Sequence, residues 1–159
     1  MKIIDEHLID SVTEEALASP RLRMNRNFHE SPDDPVQRML NAVQPGSYLR
    51  PHRHPDREEL FLLLRGAVRI LIFENDGTLR ESFVLAPELK SYGVTIPYGH
   101  WHSLFSLEHG TVFLEVKQGP YLPLAEEHFA PWAPKPDDPE GINGFFTKYG
   151  NLSPTTVSR

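Results

Sequence analysis

The chain has 159 residues, a formal net charge of −6 and no cysteine. That length suits one domain able to bury a core without disulfides, and the missing thiols exclude disulfides, cysteine nucleophiles and zinc–thiolate sites. The 16 basic residues are outnumbered by 22 acidic ones and are scattered along the chain, which excludes a phosphate-tracking nucleic-acid binder. No apolar run approaches the length of a membrane span, and MKIIDEHLID lacks the apolar segment of a signal peptide. No nucleic-acid or membrane partner is therefore expected, and a cytoplasmic location is the default.

Ser11 and Glu14 stand at capping-box spacing, Leu8, Val12 and Leu17 recur at roughly helical intervals, and Pro20 ends the pattern. These signals predict one short N-terminal helix. RLRMNRNFHE and VQRMLNAV then alternate polar and apolar residues on either side of the turn-forming SPDDP, as half-buried strands do. Arg21, Arg23, Asn25, Arg26, Asn27 and His29 make the first of these polar, which suits a solvated edge strand or a binding rim.

From Gly46 the expected strands follow closely: SYLRPHRH, ELFLLL, AVRILIF, LRESFVL, VTIP, HSLFSL and TVFLEV. Asn75-Asp76-Gly77 predicts a tight hairpin, because these residue types tolerate positive φ. So many short strands at turn-limited spacing predict an all-β sandwich or small barrel. From Pro120 onward the chain holds seven of its fifteen prolines, so regular structure should be sparse there. Phe129, Trp132, Phe145, Phe146 and Tyr149 are nevertheless too many large aromatics for a free linker. The tail is expected to pack on the barrel, on a partner subunit or over a pocket mouth.

The chemistry concentrates in RPHRHPDREELFLLLRG, Arg50 to Gly66. Residues two apart on an extended strand share a face, so His52 and His54 point the same way, accompanied by Tyr48 and Arg50. Two imidazoles need a further donor to hold a divalent cation, and usually a charge-neutralising carboxylate; Glu58 and Glu59 both offer one. After the Pro97-x-Gly99 turn, His102 is the candidate third imidazole. His100 shares its parity but lies in the turn, which reads as a pocket rim. Arg50 and Tyr48 suit a carboxylate, a phosphate or a sugar hydroxyl, or else an internal salt bridge. Trp101, Trp132 and the tail aromatics read as packing or a homodimer interface, and His7, His109 and His128 as surface residues.

Gly46, five residues, His52-x-His54, four residues, Glu59, six residues and Gly66 resemble the first metal-binding motif of the cupin superfamily. Pro97-x-Gly99, two residues and His102 resemble the second. The register selects Glu59 over Glu58. Two positions depart from the pattern: Ser91 stands where the second motif opens on glycine, with Gly93 nearby, and Ser106 stands where it closes on asparagine. Neither is a metal ligand. SPRLRMNRNFHE, DDPVQRMLNAVQPGSYLRPHRH, LLLRG and FENDG further resemble the WbuC-type cupin metalloproteins associated with bacterial polysaccharide gene clusters.

The resemblance implies an all-β fold, a single cupin jelly-roll barrel with a short N-terminal helix and an irregular proline-rich C-terminal tail. Residues 1–34 would hold the helix and leading strand, 35–119 the barrel with its metal site and 120–159 the tail, within one domain. It implies one divalent ion, Fe, Mn, Zn or Ni, on His52, His54, Glu59 and His102. Arg50, Tyr48, Asn27 and Phe61 would face a small-molecule ligand, and Leu60, Leu62 and Leu64 the opposite side of their strand. The function expected is action on, or binding of, a sugar, sugar nucleotide or hydroxy acid. That chemistry would be metal-dependent and of dioxygenase or isomerase type, possessed by a homodimer; the alternative is a non-catalytic, metal-dependent carbohydrate- or anion-binding module. No Ser-His-Asp order is apparent, so any reaction would depend on the metal.

Overall fold

In the computed structural model, which describes residues 1–150 and 152, the N-terminal helix α1 spans Glu6–Ala18. It starts before the Ser11–Glu14 signal: Asp5 is the cap, its carboxylate accepting the Leu8 amide at 3.0 Å. An Asp side chain satisfies one of the orphan N–H groups of the first turn as well as a serine does. Ile9, Val12 and Ala16 form the buried face of α1, while Leu17 is 54% exposed.

Eight antiparallel strands follow: β1 (Arg23–Asn27), β2 (Val36–Val43), β3 (Glu59–Arg65), β4 (Val68–Phe73), β5 (Leu79–Leu85), β6 (Gly93–Ile96), β7 (Trp101–Ser106) and β8 (Thr111–Gln118). They form a five-stranded sheet in the order β1-β2-β8-β3-β6 and a three-stranded sheet in the order β5-β4-β7. The chain switches sheets between β3 and β4, between β5 and β6 and at each step from β6 to β8. This interleaving makes the two-sheet jelly roll. The 75–77 hairpin forms between β4 and β5, with Gly77 at φ +88° and the Thr78 amide donating to Asp76 Oδ1 at 2.9 Å. SYLRPHRH is not a strand. Pro51 lacks an N–H for a ladder, and within the segment only His52 makes β-bridges, to His102 and Phe129.

The inward faces of the two sheets share a core of Val43, Phe61, Val68, Ile70, Ile72, Leu85, Ile96, Leu104 and Phe113. Each sheet is also covered outside. Ile9, Val12 and Ala16 of α1 pack on Leu40, Ala42 and Val112 of the five-stranded sheet. The tail, expected to be largely irregular, forms a second helix, α2 (Pro139–Gly150). Its Phe145 and Tyr149 pack with Ala130 and Ala133 on Leu71, Phe73, Trp101 and Phe105 of the three-stranded sheet. That cover explains why all six residues of β4 are buried and why AVRILIF is apolar on both faces apart from Arg69, which donates to Ser82 Oγ at 3.0 Å. The described tail therefore packs on the barrel; residues 151 and 153–159 of the 120–159 segment lie outside the described residues. No helix of the described residues is long and apolar enough to cross a membrane.

Candidate metal centre

The two histidine segments are joined through their backbones. The His52 amide donates to His102 O at 3.0 Å and the His102 amide to His52 O at 2.9 Å, while the Gly99 amide donates to His54 O at 2.6 Å. Glu59 opens β3 on the five-stranded sheet, and His102 is the second residue of β7 on the other. Closure of the sandwich thus brings together side chains from distant parts of the sequence.

One donor atom each from His52, Glu59 and His102 gathers within 4.8 Å of the others. Glu59 Oε2 lies 3.0 Å from His102 Nε2, and Glu59 Oε1 lies 3.1 Å from His54 Nε2. His54 therefore stands beside the carboxylate but outside the tightest group of three. Glu59 and His102 are 3% and 2% exposed, and Glu59 Oε2, His102 Nε2 and His54 Nε2 are all buried with no hydrogen-bond partner. Their close approach lacks hydrogen-bonding angles, although burying polar atoms unpaired is costly. Two donors at right angles, each about 2.1 Å from one ion, are roughly 3 Å apart, so the separation of Glu59 Oε2 and His102 Nε2 fits a shared cation.

The imidazole tautomers fit as well. His52 Nδ1 lies 3.0 Å from Arg50 O, and His102 Nδ1 lies 3.0 Å from His100 O. A carbonyl only accepts, so both Nδ1 atoms carry the proton and both Nε2 atoms present a lone pair, the arrangement that orients a metal-binding histidine.

Charge points the same way. Burial pushes the Glu59 carboxyl up, but His102, His54 and Lys117 beside it outweigh that and hold it well below the usual carboxylate range. Glu59 is therefore an anion. The His52 ring borders the cavity and keeps some surface, yet protein surrounds it. That burial, with His102 adjacent, lowers it to about 3, so it is neutral and free to ligate near pH 7.

A cavity of about 1300 Å³ opens beside this group, lined by His52, Glu59, Asn27, Tyr48, Arg50 and Phe61 among others. His52 and Glu59 border it directly. Arg50 is already engaged by the tail, its guanidinium donating to Glu126 at 2.8 Å and to Ala130 O at 3.4 Å, although its Nε is buried without a partner. Tyr48 donates its hydroxyl to Pro134 O at 2.8 Å and meets Phe145 edge-on. Asn27 accepts from Asn25 at 2.9 Å, both exposed on the edge strand β1. Phe61 is 4% exposed and packs on Phe113 at 5.0 Å between centroids. Leu62 and Leu64 face outward, 40% and 41% exposed, and Glu58 is exposed too.

The sequence reading missed a polar chain on the lumen side. Lys117 donates to Glu59 Oε1 at 3.1 Å and pairs with Glu115 at 2.6 Å, and Asn41 donates to Glu115 Oε2 at 2.7 Å. The signal was present in TVFLEVKQ, where Glu115 and Lys117 share the inward parity of Phe113.

Among solved structures, the chain resembles the conserved SPY1581 protein of unknown function from Streptococcus pyogenes. The TM-score is 0.52 at 16% identity, covering 76% of this chain and 90% of that one. It also resembles KdgF from Halomonas sp., with a TM-score of 0.49 at 17% identity over 65% of this chain and 84% of that one. A cupin superfamily protein, DSY2733 from Desulfitobacterium hafniense, matches with a TM-score of 0.48 at 17% identity over 60% and 76% of the two chains. At these identities the likeness speaks to the fold alone. No curated protein matches the chain. One family model, described as Domain of unknown function (DUF6016), matches residues 4–85, just over half of the chain, and the chain belongs to that family.

Proposed function

We propose that the chain is a metal-dependent cupin protein that acts on a small polar molecule, with His52, His54, Glu59 and His102 as ligands of one divalent ion. The observation that carries this reading is the pair of buried, unpartnered donor atoms Glu59 Oε2 and His102 Nε2, 3.0 Å apart beside a cavity, with His54 Nε2 also buried and unpartnered 3.1 Å from Glu59 Oε1. Iron, manganese, zinc and nickel all suit imidazole with one carboxylate. When bound, such an ion supplies Lewis-acid polarisation of a substrate oxygen, or dioxygen chemistry where it is redox-active.

The chain's own residues bind and orient. Glu59 brings a fixed negative charge, and the rings of His52 and His102 are oriented by backbone carbonyls at their Nδ1 atoms, which leaves Nε2 of each as the donor. Arg50, Tyr48, Asn27 and Phe61 on the cavity wall suit a ligand with oxygen-rich edges, so a sugar, sugar nucleotide or hydroxy acid is the class proposed. The resemblance to WbuC-type proteins supports a role in bacterial surface polysaccharide metabolism, by dioxygenase- or isomerase-type chemistry in a cytoplasmic homodimer. A non-catalytic binding module is favoured instead by one feature: Arg50 and Tyr48 are held by the tail and so are poised for recognition rather than proton transfer.

The deciding experiment is elemental analysis of protein purified without chelators, followed by incubation of the loaded form with nucleotide sugars and hydroxy acids. Near-stoichiometric metal lost in Glu59→Ala and His102→Ala is expected. Equal metal content in wild type and both variants sinks the metal reading, and thermal protection without turnover selects the binding module.

A further inference from the structure

The two oxygens of Glu59 are held differently. Its Oε1 accepts from the Lys117 ammonium at 3.1 Å and lies 3.1 Å from His54 Nε2, whereas its Oε2 is buried, has no hydrogen-bond partner and lies 3.0 Å from His102 Nε2. Lys117 is itself fixed. It pairs with Glu115 at 2.6 Å, and Asn41 donates to the other oxygen of Glu115 at 2.7 Å. The chain of contacts thus runs from β3 through β8 to β2, across three neighbouring strands of one sheet. The pairing explains the placement: Lys117 lies opposite Glu59 in the β3–β8 register, and Glu115 is two residues back on the same face.

We propose that Lys117 is a positioning residue of the metal centre, which occupies one oxygen of Glu59 so that only Oε2 is offered to the ion. This rests on the metal reading above. A carboxylate free to turn can chelate through both oxygens, a mode that large, flexible-coordination cations such as Ca²⁺ accept readily. A carboxylate pinned at Oε1 gives a single donor and leaves more of the ion's positions open to a substrate. The positive charge that Lys117 brings to Glu59 is balanced by Glu115 on its other side. An ordinary buried ion pair with no bearing on the site would also place Lys117 beside Glu115, but it would not need to reach Glu59.

The test uses full-length protein stripped of metal, with Co²⁺ and Ca²⁺ as probes, in wild type, Lys117→Met and Lys117→Arg. Circular dichroism first establishes that each variant is folded. Lys117→Met is expected to change the visible Co²⁺ spectrum and to shift the Co²⁺-over-Ca²⁺ affinity ratio about tenfold toward Ca²⁺, the scale of effect typical of groups that hold metal ligands. Lys117→Arg, which keeps an N–H for Oε1, is expected to retain the wild-type spectrum and ratio. A wild-type spectrum and ratio in Lys117→Met overturn the proposal while leaving the metal centre intact. Wild type that binds neither cation overturns the metal reading, and this inference with it. If Lys117→Met does not fold, Asn41→Ala, one contact further out, should shift the ratio in the same direction, and an unchanged ratio there overturns the proposal.

Discussion

His52 and His102 exchange both of their backbone hydrogen bonds, at 3.0 and 2.9 Å, and their rings stand 4.4 Å apart between centroids. Two segments fifty residues apart in sequence are thereby locked in register before any side chain is considered. With each Nδ1 tied to a carbonyl, the two Nε2 lone pairs are committed to the same neighbourhood. A pair of imidazoles so placed repel if protonated and cooperate if they share a cation.

Metal loading should therefore stabilise the fold. Because an ion that binds only the native state contributes RT ln(1 + [L]/Kd), saturation at about a hundredfold excess over Kd adds roughly 2.7 kcal/mol. Thermal denaturation of stripped protein with added Mn²⁺ or Zn²⁺ should show a corresponding rise in Tm. In Glu59→Gln, which keeps the shape but removes the charge, the rise should shrink to near zero. A full rise in that variant would mean the ion sits elsewhere.

Acid should weaken the stripped protein in a way traceable to His52. Its folded-state value of about 3 lies below an unperturbed histidine's value of about 6.5. Between those values the unfolded chain takes up a proton that the folded chain refuses, so stability is present above about 6.5 and is lost as pH falls toward 3. The slope is about 1.4 kcal/mol per pH unit for one proton. Urea denaturation at pH 7 and pH 5 should show a smaller loss in His52→Gln than in wild type. Equal losses would mean that His52 is protonated in the folded protein.

The strands were readable because alternation and turn chemistry agreed, as in VQRMLNAV and in the Asn75-Asp76-Gly77 hairpin. The SYLRPHRH segment misled because its parity is strand-like while Pro51 prevents a continuous ladder. His52 is aligned by two bridges instead, and the His54 carbonyl accepts the Gly99 amide. Helix α2 was hidden by Gly141 and Gly144, which lower helix propensity. Its start is nevertheless written in Asp138-Pro139-Glu140, where Asp138 accepts the Gly141 amide at 2.9 Å and proline opens the first turn. His52, Glu59 and His102 were legible from spacing. Parity turns Glu115 and Lys117 inward, but their meeting with Asn41 and Glu59 was not legible, because pairing between β2, β8 and β3 is a property of the folded sheet.

Gly66 is expected to tolerate no side chain. It sits at φ +78° between β3 and β4, and a Cβ there would lie 2.5 Å from Thr111 Oγ1 and 2.8 Å from Thr111 Cα. The first clash falls on a hydroxyl that is itself fixed by Ala67 O and Glu108 O, and the second on backbone. Gly66→Ala should cost roughly 1–3 kcal/mol, from positive-φ strain and overpacking together. The denaturant midpoint measures it, and a loss below a few tenths of a kcal/mol would show that the β3–β4 turn relaxes freely.

Phe145 is where the tail is fastened. The ring is 6% exposed and stands 5.6 Å from Tyr48, 5.7 Å from Phe105 and 4.7 Å from Tyr149 between centroids. Phe145→Ala removes the shared contact of these rings and should cost about 3–5 kcal/mol, as truncation of a buried phenylalanine does. The loss should be local as well as global. Glu126, Phe129 and Pro134 reach Arg50, His52 and Tyr48 from the segment that α2 anchors, so loosening α2 frees that side of the cavity. The four candidate ligands belong to the barrel and its His52–His54 segment, so Co²⁺ affinity should change far less than stability does. Limited proteolysis of the folded variant should cut first within residues 120–150, at conditions where wild type is uncut. Cleavage beginning instead within β1 to β8 would show that the barrel depends on Phe145 as a whole and that the tail is not a separable cover.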